Sequence, residues 1–386
     1  MEKQRVHSLD SLRGIAAFQV ILAHSLVAIP SLNWMRDMNS IPDTLSSHLI
    51  HSPLHFFWSD TEPVILFFVL SGFVLSLSFY SSQSLSDYPS FFIKRIIRLY
   101  IPCLAIILIS ILLKLLLFIP NSLSGFGEWV IMMWTIPINV TVLKNILILN
   151  SAYLDYFDRS LWSLGPEIKL SLILPFYIYL TKKLGPLSST FSIILFFISY
   201  HSLVHFNFHK IWNDFSTLYY FTFFILGSII CKYRTPLLAF INKTNIYLFW
   251  ILIIIAIYAY TFNFSMWWLP NNIIIILKPF SNQITAISAA ILIIISLSYR
   301  AQAFLNNKLL LFMGKISFSI YLIHAVVITT FAYLLNSFLP TNYIIFIAFI
   351  FCFPLAYLFY KIIEKPSLHL AIHYSKYSGI NKGNKK

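Results

Sequence analysis

Arg13 and His24 stand eleven residues apart in an apolar run. On a helix eleven steps turn through ~1100°, three full turns and ~20°, so both side chains point the same way, about 16 Å apart along the axis. Asp10, three residues before Arg13, continues the stripe. An imidazole near the membrane midplane suits a general base, because its charge changes near neutral pH, and it equally suits a hydrogen bond between packed helices. Ser317, Tyr321 and His324 fall at i, i+4 and i+7, share a helix face, and offer a second base or a structural hydrogen-bond seam. Glu167 sits one to two turns inside the outer end of an apolar run. A carboxylate there needs a partner, so it reads as a counter-charge to an Arg or His or as a proton handler. Arg95 and Arg98, at i and i+3, make a two-pronged cationic site suited to phosphates, or an ordinary basic flank of a span.

The elements that carry these groups follow from composition. Of 386 residues 59% are hydrophobic and only 10% charged, where soluble domains approach ~25% charged. That excludes a water-soluble domain and predicts an all-α polytopic membrane protein. Hydropathy places ten spans near 12–30, 63–80, 99–119, 162–181, 189–205, 215–231, 246–262, 283–299, 309–334 and 343–363. The first reads as a retained span, since Asp10, Arg13 and His24 interrupt a signal-peptide pattern. With the N-terminus inside, Arg36, Lys144, Arg159, Lys210 and Lys278 lie outside and Arg13, Lys114, Lys169 and Lys315 within or at the ends of spans. The other 18 of the 27 Lys and Arg lie inside. This bias sets N-in, C-in, and makes the net charge of +14 a topology signal rather than a nucleic-acid footprint.

Between the third and fourth spans Trp129–Leu149, broken by Pro137, Asn139 and Lys144, reads as an interfacial or re-entrant piece, with an eleventh span as the alternative, which would move the C-terminal lysines outside and collapse the charge bias. Met266-Trp267-Trp268-Leu269-Pro270 has the composition of an interface belt. Cys103, Cys231 and Cys352 are isolated, so no disulfide framework or zinc knuckle is expected. His48, His51 and His55, like His201, His205 and His209, are spaced for one helix face, and are explained as polar loop and solvated helix-end positions; no metal is expected.

Taken together, the motifs resemble the membrane acyltransferase-3 family. Leu9-Asp10-Ser11-Leu12-Arg13-Gly14-Ile15-Ala16-Ala17 with His24 matches its R-x(10)-H motif, Phe67-Phe68-Val69-Leu70-Ser71-Gly72-Phe73 its second-span signature, and Lys94-Arg95-Ile96-Ile97-Arg98-Leu99-Tyr100-Ile101-Pro102 its R-x-x-R segment. Trp162-Ser163-Leu164 with Glu167, Ile316-Ser317 through Tyr321-Leu322-Ile323-His324, and Glu364-Lys365-Pro366 follow in family order. The resemblance implies ten core helices over residues 1–366, followed by a short Lys-rich cytoplasmic tail at 367–386, in a standalone form without a hydrolase-like domain. It implies transfer of an acyl group, usually acetyl, from cytoplasmic acyl-CoA to a hydroxyl of a cell-surface or lipid-linked polysaccharide such as lipopolysaccharide O-antigen, capsule or exopolysaccharide, in the inner membrane of a bacterium.

By that resemblance Arg95 and Arg98 meet the CoA phosphates, with Ser71 and Tyr321 also assigned to the donor. His24 is the base or a transient acyl carrier, Asp10 and Arg13 order the inner end of the stripe, and Glu167 and His324 relay or position. The chain departs from the family at Leu170-Ser171, where an aromatic pair is usual, and at Phe318, usually Tyr. These positions put acceptor choice in doubt rather than the reaction. A transporter or flippase of lipid-linked sugars is the alternative reading of the same buried charges.

Overall fold

The computed structural model describes residues 6–36, 44–81, 85–185, 188, 190–196 and 213–380, and among these it is helical without a strand. The principal helices are α1 (His7–Val27), α2 (Thr61–Ser81), α3 (Tyr88–Leu117), α4 (Leu164–Leu184), α5 (Asn213–Lys232), α6 (Ile246–Tyr260), α7 (Ser281–Ser296), α8 (Lys308–Leu335), α9 (Thr341–Phe359) and α10 (Lys365–Ile380). Their ends follow local chemistry. Asn245 caps α6, its side-chain oxygen accepting from the Leu248 N–H at 2.8 Å. Pro340 precedes α9, where a missing N–H costs nothing.

The chain forms two compact units, one of residues 1–19, 44–86 and 169–315, the other of 20–43, 87–168 and 316–386. In the first, α2 packs on α5 and α7, and α6 packs on α7. The Thr285 hydroxyl donates to the Tyr260 carbonyl at 3.0 Å and Ser288 to the Ala256 carbonyl at 2.5 Å. Glycine permits two backbone contacts there. Gly72 and Gly227 bring α2 against α5, and Gly14 brings α1 against the start of α8, where an added Cβ would sit 2.6 Å from the Gly314 nitrogen. Gly14→Ala is therefore expected to destabilise the protein by about 1–3 kcal/mol, the usual cost of overpacking. Thermal unfolding in detergent checks this; an unchanged midpoint would show that the helices separate freely.

In the second unit α10 lies along α3, with Ser367 donating to the Ile97 carbonyl at 2.7 Å. A π-turn at Tyr360–Glu364 joins α9 to α10 and presents Glu364 to the Ser319 hydroxyl at 2.5 Å. Residues 128–163 run along α3. Lys114 donates to the Ile136 carbonyl, Ser110 to Phe157 at 2.5 Å, and Tyr100 to Leu147 at 2.6 Å. Lys114 and Tyr100 are fourteen residues apart, a rise of about 21 Å. Trp129–Leu149 thus follows a large part of the helix as two short helices, Glu128–Met132 and Val140–Leu147, neither long enough to cross a bilayer.

Among the described residues five helical stretches are long and apolar enough to span a membrane: Thr61–Ser81, Leu85–Leu117, Asn271–Ser296, Lys308–Leu335 and Thr341–Tyr374. Two pairs bent by 69° and 82°, Tyr219–Lys232 with Arg234–Lys243 and Ile246–Tyr260 with Phe262–Trp268, raise the number to seven if each counts as one span. Ten were expected. The stretches 12–30 and 162–181 correspond to α1 and α4, each 21 residues long, whose charged groups dilute their hydropathy. Most of the expected span 189–205, together with His201, His205 and His209, lies outside the described residues. The third span is also longer than expected: α3 begins at Tyr88, so Lys94, Arg95 and Arg98 belong to a helix and not to a loop.

Candidate active site

His24 and His324 meet. His24 Nδ1 lies 2.8 Å from His324 Nε2, with ring centroids 5.0 Å apart. His324 is fully buried, and its Nδ1 faces the Tyr321 carbonyl at 2.8 Å and the Ile320 carbonyl at 3.3 Å. Carbonyl oxygens only accept, so Nδ1 of His324 carries the proton and its Nε2 is an acceptor. His24 must then donate from Nδ1, which leaves its Nε2 as a lone pair on a half-buried ring. Two helices far apart in sequence thus fix one tautomer, the one a general base requires.

Trp129 packs beside this ring, 5.8 Å between centroids, and its buried indole N–H has no hydrogen-bond partner among the described residues. Gly127 makes the approach possible: its N–H donates to the Ala28 carbonyl at 2.8 Å, and a Cβ there would collide with the Val27 carbonyl. Arg36 and Arg159 lie within electrostatic range of His24. Tyr321 is buried with its hydroxyl 2.8 Å from the Ser163 hydroxyl, and Asp158 and Glu167 are within electrostatic range of its phenol.

Arg95 and Glu167 form an ion pair at 3.0 Å with side chains only 9% and 16% exposed. The bond joins Arg95, expected at the inner end of its span, to Glu167, expected one to two turns inside the outer end of another; Arg95 is buried and Arg98 half-exposed on the same helix. Glu167 is thus paired with a guanidinium. Asp10 and Arg13 are half-buried on α1 and Ser71 is half-buried on α2, all three in the first unit. Among the earlier metal alternatives, His51 Nδ1 instead pairs with the Phe264 carbonyl at 2.8 Å. No group of three His, Cys, Asp or Glu among the described residues is arranged to hold a metal.

Trp129 and Ser163 appear in the sequence motifs without a site role, and Asp158 in none of them. Asp158 is the most legible in hindsight, since Asp-x-Ser is a capping pattern: its Oδ1 accepts from the Ser160 N–H at 3.0 Å and hydroxyl at 2.6 Å, starting the turn that delivers Ser163. Burial pushes its carboxyl up to about 8, against the Ser160 hydrogen bonds, which favour the charged form. The unfolded chain ionises this group from its ordinary 3.8 upward, whereas the folded chain keeps it protonated to about 8. Its contribution to stability is therefore fully present below about pH 4 and is lost as pH rises to 8, by up to ~1.4 kcal/mol per pH unit. Asp158→Asn should flatten that decline in thermal midpoint between pH 5 and 8; an identical slope in both proteins would assign the carboxyl an ordinary titration.

Residues 6–361 match the acyltransferase domain of the acyltransferase-3 family. No curated protein and no solved structure matches the chain. The match takes in both histidines, the buried ion pair and the apolar helices that hold them, and so this chain belongs to the acyltransferase-3 family as a membrane acyltransferase.

Proposed function

We propose that the protein O-acylates a surface or lipid-linked polysaccharide, moving acetyl or another short acyl group from cytoplasmic acyl-CoA to a sugar hydroxyl at a bacterial inner membrane that it crosses ten times, N-in and C-in. The observation that carries this reading is the tautomer of His24. Its Nε2 accepts the hydroxyl proton as the hydroxyl oxygen bonds to the thioester carbonyl carbon. The C–S bond then breaks, and the CoA thiolate recovers that proton. His324 Nε2 accepts from His24 Nδ1–H throughout and shares the imidazolium charge.

The unpartnered Trp129 indole N–H supplies a donor for the oxyanion of the tetrahedral intermediate, and the positive field of Arg36 and Arg159 acts in the same sense. Arg98 meets the donor's phosphates, while Arg95 orients Glu167. Arg98→Ala is accordingly expected to raise the acyl-CoA concentration for half-maximal transfer by about tenfold with little change in acceptor preference. Unchanged donor dependence would reduce Arg98 to a topology signal.

The test of the whole reading is NMR of base-labile acetate on surface glycans from cells with the gene deleted, restored, or restored as His24→Ala at equal membrane abundance. Acetate that disappears on deletion and returns only with the wild type supports it. Acetate, and any other ester, unchanged in all three sinks it.

A further inference from the structure

The first unit buries a second concentration of polar groups that the histidine pair does not use. Tyr260, at the end of α6, is bonded to part of it. Its hydroxyl donates to Gln19 Oε1 at 3.3 Å, and Gln19 Nε2 donates to the Phe56 carbonyl at 2.6 Å. Glu62, 2% exposed in the first turn of α2, is within electrostatic range of the Tyr260 phenol. His55 is 1% exposed and stacks on Phe264 with centroids 3.7 Å apart, four residues beyond Tyr260. Gln283 is fully buried in the first turn of α7, two residues before the threonine that bonds the Tyr260 carbonyl.

Both ring nitrogens of His55 and both amide atoms of Gln283 are buried without a hydrogen-bond partner among the described residues. His55 is held neutral, its pKa lowered to about 4 by burial, so it offers one donor and one acceptor. Gln283 likewise offers both. Such atoms are costly to bury unpaired and native structures rarely leave them so, which points to a partner that arrives from outside. A group that must satisfy donors and acceptors alternately is a hydroxyl, and several together describe a polyol.

The covering elements fit the same chemistry. Short helices at Thr44–Ile50 and Pro53–Trp58 overlie the cluster, held by the His51 bond to Phe264 and by the Trp267 indole donating to the His51 carbonyl at 3.2 Å. Trp267, 49% exposed, packs its ring on His48 and His51. An exposed aromatic face beside buried hydroxyl-bonding groups is what a pyranose presents its two surfaces to.

We infer that His55, Gln283, Gln19, Glu62 and Tyr260, with Trp267 at the rim, bind a sugar ring of the polysaccharide acceptor. This rests on the O-acylation reading for the word acceptor, but the binding site can be tested without it. Hydrogen exchange of the full-length protein in detergent, with and without surface glycan released from cells that make it, is expected to slow about threefold or more in peptides covering 44–58 and 256–268. Gln283→Leu and His55→Phe should remove that protection and raise the glycan concentration for half-maximal transfer about tenfold. Because each swaps an unpaired polar group for an apolar one of similar size, each should melt at or above the wild-type temperature. A merely structural role predicts the opposite pattern, lower melting with unchanged glycan dependence, and that result overturns the site. So does wild-type protein that glycan fails to protect, which leaves water as the partner. If glycan protects the wild type but no acyl group moves from acyl-CoA, the binding site stands and the acylation reading falls.

Discussion

His24→Ala is expected to lower acyl transfer by about 10²–10⁴-fold while the protein still inserts and folds. The loss follows from removing the lone pair left available at the pair, Nε2 of a ring whose Nδ1 is committed to His324 at 2.8 Å. Folding should survive, because His24 is only half-buried and the group it abandons, His324 Nε2, is a single buried acceptor costing about 1–3 kcal/mol. His324 acts through His24, so its variants separate positioning from packing. His324→Gln keeps a side-chain oxygen that can accept from His24 Nδ1–H, and should retain more activity than His324→Leu at equal abundance; supporting groups of this kind are worth about 10–100-fold. Equal activity of the two would mean that His324 fills space only. Initial rates with radiolabelled acyl-CoA, on membranes matched for protein by immunoblot, give both comparisons.

Glu167→Leu should destabilise the protein by about 3–5 kcal/mol, since it removes the carboxylate 3.0 Å from a guanidinium that is only 9% exposed. Arg95→Met removes the other half of the pair. The double variant Arg95→Met with Glu167→Leu should recover most of that stability, because the two desolvation penalties disappear together. Activity should not return with it if the pair orients the inner part of the site. Thermal unfolding followed by size exclusion measures the first point and acyl transfer the second. Single variants that cost under about 1 kcal/mol would show a solvated pair, worth no more than a surface bridge.

Several features were legible because they depend on the chain's local chemistry. R-x(10)-H predicted a helix carrying Asp10, Arg13 and His24, and α1 runs from His7 to Val27. Trp129–Leu149, interrupted by Pro137, Asn139 and Lys144, read as something other than a span and is two short helices. Hydropathy found α2, α7, α8 and α9 within a few residues. It misjudged α3, whose first turns carry Lys94, Arg95 and Arg98; basic residues look like a loop when their burial against a carboxylate is not yet known. Of the ten expected runs, five are helices of spanning length among the described residues, two end at sharp bends and two are helices diluted by charge.

Sequence by itself determined the all-helical character, the family motifs and which residues had chemistry to offer, because propensity, apolar length and motif spacing are properties of neighbours along the chain. Tertiary structure decided what each polar group does. His24 and His324 are 300 residues apart and Arg95 and Glu167 are 72 apart, and in an apolar interior a buried polar group takes its state from whichever partner is packed against it. The Nε2 lone pair of His24, the pairing of Arg95 with Glu167, and the unpartnered nitrogens of His55 and Gln283 all come from that packing and from no stretch of sequence alone.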